Sequence, residues 1–151
     1  MLRQKAFTLI EVLIVILILG TLATIAMPMF EGMTIKARLV QSIIDVNTIE
    51  KSLDLIIAES GWDCRIPFPR SDIPQNDYFN YDVIFLAVER SPTDITTDGF
   101  NILVGRKEDD PIRNPLYCRS VNRSGERKWR IYSGHPWAKY IKGLLPDAEY
   151  N

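Results

Sequence analysis

The stretch Ala6-Phe7-Thr8-Leu9-Ile10-Glu11 opens an apolar block, and from Val12 to Phe30 no side chain carries a charge. That run of about 19 residues is close to the ~20 needed for a helix to cross a bilayer. An ionisable group inside such a helix costs roughly 2.5–3.5 kcal/mol on insertion scales, so Glu11 needs a partner. Downstream the next cation is Lys36. The counter-charge must therefore come from the N-terminus or from another molecule. Upstream, Arg3 and Lys5 make a short basic leader. This places the leader in the cytoplasm and everything after the span outside. An ordinary secretory signal would be cut after its apolar core, but the small residues there, Gly32 and Ala37, form no A-x-A site.

These residues resemble the type IV prepilin signature of pilins and pseudopilins: a basic leader, a small residue, Phe-Thr-Leu-Ile-Glu, then an unbroken apolar helix. The resemblance covers Lys5 to Met33, about a fifth of the chain. It implies cleavage between Ala6 and Phe7 by a prepilin peptidase on the cytoplasmic face, with N-methylation of Phe7. The family usually has Gly before the cut, and Ala6 stands there in this chain. Gly20 and Pro28 fall where many of these proteins carry Gly and Pro. Pro28 removes one helical hydrogen bond and crowds the preceding turn, so a kink or local melting is expected nearby. In an assembly, Glu11 of one subunit would pair with the Phe7 amine of its neighbour. A wrong axial register would strand both charges in a low-dielectric core. The competing reading is a plain signal anchor whose Glu11 reaches the interface.

The remaining chain is ordinary for one small domain: 151 residues in all, 46% hydrophobic, 25% charged, net charge −1. Three segments follow: a leader (1–6), a transmembrane and assembly helix (7–30), and a head (31–151) that includes the helix's amphipathic half. Ile35, Leu39, Ile43, Val46, Ile49, Leu53, Ile56 and Ile57 recur at steps of three and four and predict one buried stripe. Lys36, Arg38, Gln41, Asp45, Asn47, Lys51 and Glu59 take the other face, and Gly61 is a stop signal. Three prolines between Trp62 and Asn76 predict a loop without regular elements. Strand-like runs cover Tyr81–Glu89, Phe100–Val104, Leu116–Val121 and Trp129–Tyr132, the last two joined by a hairpin loop at Asn122–Arg127. The expected fold is α+β: a long N-terminal helix, apolar then amphipathic, packed on a small antiparallel sheet. A short helical turn is expected at Trp137–Leu144.

Cys64 and Cys118 lie beyond the span, in a compartment that favours a disulfide. Closing a loop of about 55 residues would add about 4 kcal/mol in the chain-entropy description. Two separate thiols are the alternative. The family tends to staple its C-terminal region.

No enzyme, metal or cofactor site is expected. His135 is the sole histidine, and no nucleophile-base pattern, P-loop or dinucleotide fingerprint occurs. Glu108-Asp109-Asp110 lacks the alternating spacing of a calcium loop and reads as a solvated turn. Asn122-Arg123-Ser124 matches a glycosylation acceptor, a pattern common by chance. Charge is segregated: acids dominate Asp72–Asp110, and bases dominate Arg113–Lys142. Contacts between the acidic and basic faces of neighbouring subunits are the favoured use. DNA capture by Arg119, Arg127, Lys128 and Arg130, interleaved with Tyr117, Trp129 and Tyr132, is the rival.

The resulting expectation is a non-enzymatic structural subunit of a type IV pilus-like filament. Its partners would be copies of itself, a prepilin peptidase, and an assembly ATPase with its membrane platform. It would sit in the inner membrane, head in the periplasm, before joining an extracellular pilus. A pseudopilin of a type II secretion system is the nearest alternative. A signal-anchored periplasmic binding or adhesin domain is the different class.

Overall fold

The computed structural model describes residues 8–62, 68–91 and 94–150, with the side chains of Pro28, 87–91 and 94–97 left aside. The chain forms two compact units, Met1–Ile35 and Lys36–Asn151. Helix α1 (Leu9–Ser60) is 52 residues long and contributes to both.

In the first unit every large apolar side chain from Leu9 to Met33 is exposed, so no other described residue of this unit covers this surface. The helix is long and apolar enough to cross a membrane. Its hydroxyls fold back onto the helix backbone: Thr21 Oγ1 donates to the Ile18 carbonyl at 2.8 Å, and Thr34 Oγ1 to the Phe30 carbonyl at 2.8 Å. Such back-bonding gives each of these hydroxyls a partner without water. Helical assignment is continuous through Gly20 and Pro28.

In the second unit the sheet runs in sequence order: β1 (Phe79–Ser91), β2 (Asp94–Arg106), β3 (Tyr117–Asn122), β4 (Arg127–Ile131) and β5 (Glu149–Tyr150). The first four strands are antiparallel neighbours, and β5 adds to β4 in parallel. Both hairpin strands β1 and β2 run longer than expected because their pairing continues outward from Phe79↔Arg106 to Ser91↔Asp94. The parallel β5 was not expected, since two residues carry no strand pattern. Helix α2 (Ala138–Lys142) occupies the expected tail turn. The proline-rich loop contains one 3-10 turn at Arg70–Asp72, a correction to the expectation of no regular element there.

Leu39, Val46, Ile49 and Leu53 of α1 are fully buried, as are Phe100, Ile102, Val104, Tyr117 and Ile131 of the sheet. Each such side chain contributes roughly 1.5–3 kcal/mol by leaving water. Ile43, Ile56 and Ile57 are only half-buried. Three polar residues of α1 lie in the buried face instead: Ser42, Asp45 and Glu50. Asp45 was expected outside. It is buried because it accepts from Tyr81 Oη at 2.6 Å, Asn76 Nδ2 at 2.7 Å and Gln41 Nε2 at 3.0 Å. A buried carboxylate so fully hydrogen-bonded is tolerable where a bare one is not.

The ends of these elements use glycine as the sequence indicated. Gly61, at φ +72°, follows the last turn of α1 and donates to the Ile57 carbonyl at 2.8 Å. Gly125, at φ +86°, closes the β3–β4 hairpin, where Asn122 Oδ1 accepts from Glu126 N at 2.8 Å and Ser124 Oγ at 2.7 Å.

Candidate functional site

At the head of α1, Thr8 and Glu11 are reciprocally bonded. Glu11 Oε2 accepts from Thr8 N and Thr8 Oγ1, both at 2.9 Å, and Glu11 N donates to Thr8 Oγ1 at 3.4 Å. This is a capping box, Thr-x-x-Glu, which satisfies donors that the first helical turn leaves open. The three-residue spacing of Thr8 and Glu11 signals this box, which gives the carboxylate local partners besides any counter-ion. The carboxylate also lies at the positive end of the helix dipole. Glu11 therefore has a local role in starting the helix, and its negative charge is still without a cation among the described residues. Ala6 and Phe7 lie outside the described residues. An added Cβ at Gly20 meets nothing within 4 Å, so this glycine has no packing role inside its own unit.

In the head, the basic segment turns inward. Arg119 Nε donates to Glu50 Oε2 at 2.7 Å, Arg127 bonds the other Glu50 oxygen, and Arg127 Nη2 reaches Asp54 Oδ2 at 2.9 Å. The Arg119 guanidinium lies over the Trp129 ring at 4.6 Å. Tyr117 is fully buried, its Oη 2.8 Å from Ser42 Oγ. Lys128 bridges Glu126 and Glu149, both at 3.0 Å, and Arg130 also faces Glu149. The residues grouped as a DNA surface are thus largely engaged within the chain, because their strand neighbours face alternate sides of the sheet.

The acidic trio separates in the same way. Glu108 pairs with Arg106 at 2.7 Å, and Asp110 Oδ1 accepts from Ile112 N at 2.9 Å. Asp109 Oδ2 lies 3.5 Å from His135 Nε2. His135 is buried, and its Nδ1 accepts from Trp137 N at 3.2 Å. Burial pushes its pKa below the usual 6.5, against the opposing pull of Asp109. Among the described residues no three His, Cys, Asp or Glu side chains gather as a metal site.

Asn122, the candidate glycan acceptor, has its amide committed to the turn, Nδ2 donating to Glu126 Oε2 at 2.9 Å. Cys118 is buried and its thiol pKa is pushed up by burial. Tyr132 Oη lies 3.9 Å from its Sγ. Cys64 lies outside the described residues.

The family model described as "Prokaryotic N-terminal methylation motif" matches residues 1–27. The chain is 38% identical over 61 residues to a fimbrial protein, EcpB, of Eikenella corrodens, covering 40% of this chain and 38% of that one. It is 40% identical over 53 residues to a type II secretion system core protein G of Pectobacterium carotovorum, covering 35% and 34%. A fimbrial protein of Pseudomonas aeruginosa is 36% identical over 56 residues, covering 37% and 36%. The match thus spans little more than a third of the length of these relatives. No solved structure matches. The methylation motif and these partial matches make the chain similar, over part of its length, to fimbrial proteins and to type II secretion system core proteins G.

Proposed function

We propose that this chain is a non-enzymatic structural subunit of a type IV pilus-like filament. A prepilin peptidase cuts between Ala6 and Phe7, Phe7 is N-methylated, and the mature subunit waits in the inner membrane with its head in the periplasm. An assembly ATPase and its membrane platform then move the helix from lipid into a bundle of its own copies. There the Phe7 amine of one subunit meets Glu11 of the next. Gly20 and Pro28 let the helix bend as it leaves the bilayer, and Cys64 joins Cys118 in the exported head.

The single observation that carries this reading is the uncovered apolar surface from Leu9 to Met33, entered through a capped, negatively charged first turn. Contiguous apolar surface of that extent calls for lipid or other helices. The two environments are alternately suitable because lipid tails and aliphatic side chains are equally apolar. Charge pairing at the first turn then selects the axial register.

A second reading, a pseudopilin, draws on the type II secretion system relatives, which match at identities similar to the fimbrial ones. Shearing of cells separates the two. Surface fibres whose main component begins at a methylated Phe7 support the pilus subunit; mature chain confined to the cell envelope supports the pseudopilin. Chain that still begins at Met1 overturns both.

A further inference from the structure

Helix α1 commits most of its charges within the head. Asp45 and Glu50 hold the bonds described above, Asp54 takes Arg127, and the Arg38 guanidinium lies over the Tyr78 ring at 3.9 Å. Glu31 and Lys36 stand apart. They are the first two charges after the uncharged run, and both are exposed. Neither has a hydrogen-bond or ion-pair partner among the described residues. They cannot serve each other within one chain. Five positions put them about 140° apart around a helix of ~3.6 residues per turn, whereas side chains meet at spacings of three or four.

Their spacing fits a second copy of the chain. Once the Phe7 amine of one subunit faces Glu11 of the next, the two copies are displaced by four positions, about 6 Å at ~1.5 Å per residue. The same displacement brings Glu31 of the first within about 1.5 Å of the height of Lys36 of the second. The signs are complementary both times: amine with carboxylate, then carboxylate with ammonium. In the first unit Glu31 falls about 200° round the helix from Glu11, on the other side. Glu11 thus faces one neighbour while Glu31 faces the opposite one, as a head-to-tail contact that repeats without closing requires.

Resting on the subunit reading above, we propose that Glu31 of one copy forms an ion pair with Lys36 of the next, a second register contact beside the Phe7–Glu11 pair. Both side chains are long enough to bridge helix axes about 8–10 Å apart. A slip of one helical turn strands both charges between packed helices, which is far more costly than leaving them in water.

The test uses the full chain in cells that assemble it, with multimers counted after cross-linking of the envelope and in sheared fibres. Glu31→Lys and Lys36→Glu each lower the multimer yield about tenfold or more by placing like charges together. The double reversal restores most of it, and Lys36→Arg keeps it. Glu31→Cys and Lys36→Cys on separately tagged copies are joined by a short bis-maleimide above the level seen with either variant alone or with the wild-type cysteines. Should Glu31→Lys fail to insert in the membrane, Glu31→Gln and the cross-link decide. Wild-type multimers with undiminished yield in the single reversals overturn the pair and leave the subunit reading standing. A double reversal as poor as the single ones, or cross-linking no better than the controls, does the same. Absence of any multimer from the wild-type chain overturns both.

Discussion

Arg119 of β3 donates to Glu50 of α1 at 2.7 Å, joining residues 69 positions apart across the helix–sheet interface. The two side chains are only 14% and 6% exposed. Glu50 also receives Arg127, which in turn holds Asp54. This ionic cluster sits in the buried stripe of α1 where an uninterrupted apolar seam was expected. It fixes which turn of the helix meets β3 and β4, since a one-turn slip would leave charges buried alone.

Removing one partner is therefore expensive. Glu50→Gln leaves the Arg119 guanidinium, 14% exposed, without its carboxylate, while Arg127 keeps Asp54, and should lower stability by about 3 kcal/mol. Urea unfolding in detergent, followed by tryptophan fluorescence, measures this. Adding Arg119→Met to Glu50→Met should recover part of the loss, because paired removal leaves fewer stranded charges.

Tyr81 should be the more sensitive of the two buried tyrosines. Burial and the adjacent Asp45 carboxylate hold its hydroxyl well above the ordinary tyrosine range. Tyr81→Phe strips one of three donors from Asp45 and should cost about 1–3 kcal/mol. Tyr117→Phe should cost less, since Ser42 Oγ keeps its bond to the Leu39 carbonyl at 2.8 Å. Equal losses in the two variants would contradict this ranking.

His135 gives a pH dependence whose sign follows from burial. Its folded pKa lies below 6.5, with burial the larger effect, the Asp109 carboxylate opposing it and the Arg106 cation reinforcing it. The unfolded chain then binds the proton more readily than the folded one. The contribution of His135 is fully present above pH 6.5 and is lost as the pH falls toward the folded pKa. Unfolding midpoints should drop on acidification through that window, and His135→Gln should remove this portion of the slope.

Two glycines should respond to alanine differently. A Cβ at Gly99 would lie 2.4 Å from the Val121 carbonyl oxygen and 3.0 Å from Asn122 Cα, both backbone atoms of the adjacent strand. Gly99→Ala should push β2 from β3 and cost about 1–3 kcal/mol. At Gly20 there is open space, so alanine should favour the helix by about 1 kcal/mol. A Gly20→Ala chain that folds but assembles poorly would place the role of that glycine in the filament.

Glu11→Gln separates the two roles of the first turn. Glutamine can still accept from Thr8, so helix initiation survives, but the charge is gone. Under the register mechanism Glu11→Gln should accumulate unassembled in the membrane, as Glu11→Leu should. Fibres at wild-type yield from Glu11→Gln would assign the residue to capping alone.

Much of the architecture was legible in one dimension because it rests on local chemistry. An uncharged run of about 19 residues has few other uses. Helical spacing marked Leu39, Val46, Ile49 and Leu53, and each is fully buried. Gly61 and the Asn122–Arg127 turn were readable because only a few residues tolerate their backbone angles. The capping box is also local, written in the Thr8–Glu11 spacing.

What pattern alone could not supply were pairings between distant segments. Asp45 and Glu50 look like solvent residues by type, and only their partners on Asn76, Tyr81, Arg119 and Arg127 make them interior. The basic segment looked like one charged surface until strand alternation sent Arg119 and Arg127 to the helix side and Lys128 and Arg130 to the other. Strand β5 exists because β4 offers it an edge, not because Glu149–Tyr150 prefers to be extended. Periodicity reports which side of an element is apolar. Which charge lies opposite another depends on register between elements, and the folded chain alone sets that.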